Sequence, residues 1–233
     1  MAYSIIIPIY KEKKNISKLI LKVRKELSKK INYELILIDD DSGDGSKKIF
    51  EKYKNKNTKF FTRKKKPRDL SRSVIYGFNR AKFNNLIVMD GDLQHSPRDI
   101  LRLTKKYEKT KCDIVIGSRK LIDYKKSNLT PLRFLLSKIL NQIVNIIFKS
   151  NFTDPMSGFF LIKKKVYKTV SSKLILLGYK ILMDIILSSN KNLLIQEINI
   201  NFKSRDKGFS KMRFKILLQL IISIIIKYLR YEK

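Results

Sequence analysis

Asp90-Gly91-Asp92-Leu93-Gln94-His95 follows the apolar run Leu86-Ile87-Val88-Met89. Two carboxylates and an amide are thereby set at the carboxyl end of a buried strand. Hard oxygen donors of this kind suit Mg²⁺ or Mn²⁺ held against phosphate oxygens. Alternation continued along an extended segment would turn Asp90, Asp92 and Gln94 to one side and Leu93 back toward the core. An Asp-x-Asp triplet alone is also a common solvated turn or helix cap, so its company decides. Two further polar clusters accompany it: Pro8-Ile9-Tyr10-Lys11-Glu12, and Asp39-Asp40-Asp41-Ser42-Gly43-Asp44-Gly45-Ser46. In the second, Asp44 or Ser42 suits the cap of a following helix. A cap uses one acid, and the others are placed to accept hydrogen bonds from a nucleotide base or ribose.

These clusters need elements to position them. Ser4 to Pro8, Leu35 to Ile38, Leu86 to Met89 and Ile114 to Ile116 read as buried strands. Between them Ile16, Leu19, Ile20, Val23 and Leu27 keep a helical spacing, as do Val74, Ile75 and Phe78, and Ile100, Leu103 and Tyr107. Strands apolar on both faces, alternating with helices, predict an α/β, Rossmann-like, mostly parallel sheet flanked by helices. Ligands of such sheets bind beyond the carboxyl ends of the strands, where the polar clusters fall.

The chain has 233 residues, 43% of them hydrophobic, enough for one core with a short appendage. Its 52 basic and 20 acidic residues give a formal charge of +32, which attracts polyanions, either nucleic acid or an anionic membrane face. The lysines are scattered, and neither an RNA-recognition signature nor zinc-finger spacing accompanies them, so nucleic acid is not the expected partner. No Gly-x-Gly-x-x-Gly follows the first strand and no Gly-x-x-x-x-Gly-Lys-Ser/Thr occurs, which argues against dinucleotide oxidoreductases and P-loop NTPases. One histidine, His95, argues against a hydrolase triad. The single cysteine, Cys112, reads as a small buried hydrophobe. The N-terminal apolar run ends at Pro8, too short for a signal peptide or a membrane span, and a cytosolic active domain is expected.

In order and spacing these clusters resemble the family 2 glycosyltransferases of the GT-A fold, and within them the polyprenyl-phosphate sugar synthases of the dolichol-phosphate mannose synthase type. Ile7-Pro8-Ile9-Tyr10-Lys11-Glu12 is similar to the family's opening strand and loop, and Ile38 to Ser46 to its nucleotide-recognition loop. Arg68-Asp69-Leu70-Ser71-Arg72-Ser73 with Gly77-Phe78 resembles the segment that closes over the donor. Asp90 to His95 resembles the metal motif, Gly117-Ser118-Arg119 a phosphate-contacting strand end, and Asp154-Pro155-Met156-Ser157-Gly158-Phe159-Phe160 an acceptor-side loop. Gly91 stands where alanine is frequent in relatives, and Ser96 where proline is common.

The resemblance implies transfer of a hexose, with inversion, from a nucleotide-sugar donor to a polyprenyl-phosphate acceptor. The sugar would be mannose from GDP-mannose; the alternative is a glucosyl or aminosugar transferase using a UDP-sugar, and a remote one is a non-catalytic polyanion-binding protein. It implies Mg²⁺ or Mn²⁺ on Asp90, Asp92 and Gln94, with Pro8, Tyr10, Glu12, Asp39, Asp40, Asp90, Arg205 and Lys211 around the donor. Asp92, Arg119, Arg133 and Ser137 would carry the transfer, the last three as an acceptor-phosphate site. Pro131 suits the first position of a helix capped by Thr130, which sets Arg133 and Ser137 on one face. Gly178-Tyr179-Lys180 with Asp184 resembles a second acceptor-side motif. Residues 1–211 are expected to form the catalytic domain, and 212–233 a basic-flanked amphipathic helix. Its uncharged run, Ile216 to Ile226, is well short of the ~20 residues that span a bilayer. Such a helix lies in an anionic membrane surface, which predicts a peripheral enzyme on the cytoplasmic face, with a separate membrane-anchor subunit as a further partner.

Overall fold

The computed structural model describes residues 1–119, 153–176, 181–189 and 193–201, together with the helical positions Leu135, Ile139, Gln142 and Asn145. The chain alternates strand and helix: β1 (Ala2–Ile9), α1 (Ile16–Leu27), β2 (Asn32–Asp39), α2 (Ser46–Tyr53), β3 (Thr58–Thr62), α3 (Leu70–Arg80), β4 (Asn85–Val88), α4 (Arg98–Thr110) and β5 (Ile114–Arg119). After these come β6 (Phe160–Lys163), α5 (Lys164–Val170), α6 (Ile181–Ser188) and β7 (Ile195–Ile200).

Seven strands form one mixed sheet in the order β3-β2-β1-β4-β6-β5-β7. β1 runs parallel to β2 and β4, β2 to β3, and β5 to β7, while β6 is antiparallel to both of its neighbours. Alternation divides the apolar strand residues between two faces. Ile5, Ile7, Leu35, Leu37, Ile87 and Val115 pack with α1 and α4, around Leu19, Val23, Ile100 and Leu103. Ile6, Ile36, Ile38, Val88, Ile114 and Ile116 pack with α3, α5 and α6, around Val74, Phe78, Val166 and Ile185. The doubly covered sheet expected from the sequence is therefore present. Cys112 is buried at 1% exposure, as expected.

Pro8 lies in β1, between two neighbours, where its missing N–H would normally cost a ladder bond. Here Ile6 is paired with Val88, the last residue of β4, and its carbonyl accepts from Met89 N–H at 3.1 Å. Pro8, two residues on, faces the same side, where β4 has already ended. Its neighbour Ile9 instead accepts from Asp40 N–H on the β2 side, at 3.0 Å. The ladder between β1 and β4 thus ends before Pro8, and the polar turn that follows β4 begins there.

Three strands escaped the sequence reading: β3, β6 and β7. Among the described residues no helix is long and apolar enough to cross a membrane. Arg133, Ser137, Gly178-Tyr179-Lys180, Arg205, Lys211 and the segment 212–233 lie outside the described residues.

Candidate active site

β4 ends at Val88, and Asp90 to Gln94 form a turn instead of continuing the strand. The expected alternation is therefore corrected: Leu93 adopts a left-handed φ of 65°. It still reaches the core, at 5% exposure, by the turn's geometry. Asp92 is 6% exposed, and its carboxylate accepts the Gln94 backbone N–H at 3.1 Å, which closes the turn. Gly91 makes room for it, since a Cβ there would lie 2.7 Å from Ile9 Cγ2. Asp90 keeps a third of its side chain exposed, with His95 Nε2 3.5 Å from Oδ2. His95, only 2% exposed, stacks on Phe159 with centroids 5.1 Å apart.

The turn brings two carboxylates and an amide together at one strand end. Among the described residues no three His, Cys, Asp or Glu side chains gather as a cation cage. A donor set of this size fits a hard divalent cation that takes its remaining oxygens from substrate phosphates and water.

The end of β2 differs from expectation. Asp40 is 5% exposed, pairs with the guanidinium of buried Arg63 and accepts Asp69 N–H at 2.8 Å. Arg63 also donates to Pro67 O at 2.8 Å and to Ser73 Oγ at 3.3 Å. Asp40 thus ties β2 to the start of α3, its carboxylate paired with Arg63 in the interior. Asp39, 6% exposed, accepts Ser42 N–H at 3.1 Å and the Ser42 hydroxyl. Burial pushes its carboxyl above the ordinary value despite those bonds, with Asp44 and Asp40 adding to the rise. Asp44 accepts the N–H of Ser46, the first residue of α2, at 2.9 Å, and also takes Lys13 N–H at 3.0 Å. The solvent-facing acid is Asp41, paired with Lys66 and Arg68 at 3.2 Å each. Arg68 also covers the Tyr10 ring, 5.4 Å from its centroid. Glu12 accepts from Asn15 Nδ2 at 2.6 Å, which shapes the loop after β1.

Arg119, at the end of β5, is also not an open cation. It donates Nε and Nη2 to Asp154 at 2.7 and 2.8 Å, and its backbone N–H to the same carboxylate at 3.2 Å. Asp154 is fully buried and Arg119 side chain is 13% exposed. Burial acts to lower the guanidinium's pKa, but Asp154 and then Asp90 outweigh it and hold the charge in place. Asp154 drew no role of its own from the sequence, since its partner lies 35 residues away. Asp184, part of the second acceptor-side resemblance, accepts the N–H groups of Ile175 and Leu176, each at 2.9 Å, a structural tie.

A model of glycosyl transferase family 2 fits residues 4–171, which include the Asp90–Gln94 turn, the loops after β1 and β2, and the Arg119–Asp154 pair. The chain belongs to glycosyl transferase family 2. Its relatives in that family include a dolichol-phosphate mannosyltransferase of Pyrococcus furiosus, 34% identical over 224 residues, 94% of this chain and 61% of that protein. Another, from Saccharomyces cerevisiae, is 30% identical over 229 residues, 93% of this chain and 83% of that one. The chain thus spans less than two thirds of the archaeal relative's length. A solved glucosyl-3-phosphoglycerate synthase of Mycobacterium tuberculosis, in complex with Mn²⁺, UDP-glucose and phosphoglyceric acid, shares the fold. Its TM-score is 0.72 at 12% identity, over 97% of this chain and 79% of that one. Family 2 membership places the chain among sugar-transferring enzymes; Arg205, Lys211 and 212–233 lie beyond the matched residues.

Proposed function

We propose that this family 2 member transfers a hexose, with inversion, from a nucleotide sugar to the phosphate of a polyprenyl phosphate, on a GT-A fold. The observation that carries the reading is the Asp90–Gln94 turn at the open end of β4, beside Arg119 in the family's crevice. Asp92, Gln94 and Asp90 would hold Mg²⁺ or Mn²⁺ on the donor diphosphate. When bound, the cation offsets the charge that gathers on the departing nucleotide. Pro8, Tyr10, Glu12, Asp39 and Asp40 would frame the base and ribose. With a second pKa of about 6, an acceptor phosphate is already largely dianionic at neutral pH, so the enzyme's task is to orient an anion. Arg119 would present its outer edge to that anion while Asp154 fixes its plane. Arg133 and Ser137 complete the acceptor site in this reading, and Arg205 and Lys211 the diphosphate site.

Mannose is the proposed sugar, supported by relatives named dolichol-phosphate mannosyltransferase at 34% and 30% identity. A second reading, a UDP-sugar donor, is favoured by the solved neighbour that holds UDP-glucose and Mn²⁺. For the membrane, Leu135 and Ile139 are 54% and 41% exposed on a helical stretch, which supports contact with lipid. Together with the +32 charge they support peripheral attachment to an anionic membrane surface; the cytoplasmic face, an interfacial helix over 212–233 and a separate membrane-anchor subunit complete the proposal. The test is a parallel incubation of the protein, Mn²⁺ and polyprenyl phosphate with GDP-mannose, UDP-glucose and UDP-N-acetylglucosamine. Mannosyl lipid alone upholds the first reading, and glucosyl or aminosugar lipid replaces it with the second.

A further inference from the structure

Asp90 is hemmed in on two sides. His95 stands on one, buried and stacked on Phe159. Gly158 lies on the other: a Cβ added there would sit 2.7 Å from Asp90 Oδ2 and 3.0 Å from Oδ1. Contacts under about 3 Å are closer than non-bonded atoms tolerate, so even one methyl group would have to displace the carboxylate. The φ of Gly158 lies outside the left-handed region, so the position requires room, not conformational freedom.

The loop carrying Gly158 cannot easily retreat. Asp154 is locked to Arg119 by bonds of 2.7 and 2.8 Å. Thr153 donates its N–H at 3.1 Å and its hydroxyl at 2.6 Å to Glu197 of β7. Ser157 Oγ donates to Gly117 O at 2.7 Å, and Phe159 O accepts Gly117 N–H at 2.8 Å. β5 and β7 therefore hold the backbone of residue 158 at a fixed distance from Asp90.

We propose that Gly158 is a positioning residue for the metal-facing carboxylate: its missing side chain gives Asp90 its place, and the Arg119–Asp154 pair keeps the loop there. The inference rests on Asp90 facing the donor and its cation, as in the function proposed above. It differs from the acceptor-side role that the sequence of this loop suggests, because the loop's contact is with the donor end.

The experiment titrates the full chain with GDP, and separately with UDP, in the presence and absence of Mn²⁺, for wild type, Asp90→Ala, Gly158→Ala and the double variant. Melting temperature is recorded in parallel. Asp90→Ala should weaken Mn²⁺-dependent nucleotide binding. Gly158→Ala should weaken it by about tenfold in the wild-type background and less than about twofold where Asp90 is already alanine, the non-additivity of two groups in contact. The double variant, relieved of the clash, should also regain melting temperature lost by Gly158→Ala. Equal weakening in both backgrounds overturns the inference, as does unchanged binding in Gly158→Ala beside a weakened Asp90→Ala. Failure of both glycine variants to fold overturns it too, since the requirement would then not lie with the carboxylate. Unchanged binding in Asp90→Ala overturns instead the reading on which the inference rests.

Discussion

Acids in this site are divided by what they bind. Asp92 and Asp90 remain in the crevice, whereas Asp40 and Asp154 are spent on buried arginines. The distinction has consequences for stability. Removing one partner of a buried pair costs about 3–5 kcal/mol, because a charge is left desolvated. Asp154→Ala should lose that much in chemical denaturation, whereas Asp154→Leu with Arg119→Met should recover most of it without recovering transfer. Glu34, buried beside β1, is bonded by Ser4 Oγ at 2.6 Å, Lys59 Nζ at 2.8 Å and Lys82 N–H at 2.6 Å. Burial pushes its pKa up, but these bonds outweigh it and hold the carboxyl below its ordinary 4.5. A depressed folded-state value stabilises the protein above the unfolded value and is lost as pH falls through the folded one. Glu34→Gln should therefore flatten the fall in stability below about pH 4.5 in acid titrations followed by circular dichroism, and an unchanged acid slope would contradict this.

Helix and strand ends carry the site, and there the sequence was legible to different depths. β1, β2, β4 and β5 could be read because they are apolar on both faces. β3 is an edge strand, Thr58–Thr62, half-buried throughout, with no alternation to mark it. β6 was hidden in a segment resembling a loop, and β7 mixes Gln196, Glu197 and Asn199 into its apolar positions. The carboxylate turn was legible as chemistry but not as geometry, since a left-handed Leu93 is contrary to a leucine's preference. Arg63 was invisible within the run Arg63-Lys64-Lys65-Lys66, although its burial decides what Asp40 can do. Asp69 begins α3, its side chain accepting Arg72 N–H at 3.1 Å while its own N–H is given to Asp40. Asp69→Ala should cost about 1 kcal/mol in urea unfolding, the usual loss of an N-cap, and Asp69→Asn much less.

Across the whole molecule, one doubly covered sheet places the Asp39–Asp44 and Asp90–Gln94 clusters at its carboxyl end, in a chain of net charge +32. If that charge serves an anionic membrane, co-sedimentation with vesicles rich in anionic lipid should be strong at low salt and fall steeply as ionic strength rises past about 0.15 M, where the Debye length is about 8 Å. Binding equally strong to neutral vesicles would leave the apolar surface, with Leu135 and Ile139, as its cause. In the proposed function the Asp90–Gln94 turn supports sugar transfer onto a lipid phosphate. The most direct test follows labelled sugar from the nucleotide donor into polyprenyl phosphate, for wild type and Asp92→Ala, with Mn²⁺ and with chelator. Wild type with the cation should yield lipid-linked sugar, reduced by about 100-fold or more in Asp92→Ala and by chelation. Undiminished product in Asp92→Ala, or sugar that never enters the lipid, would contradict it.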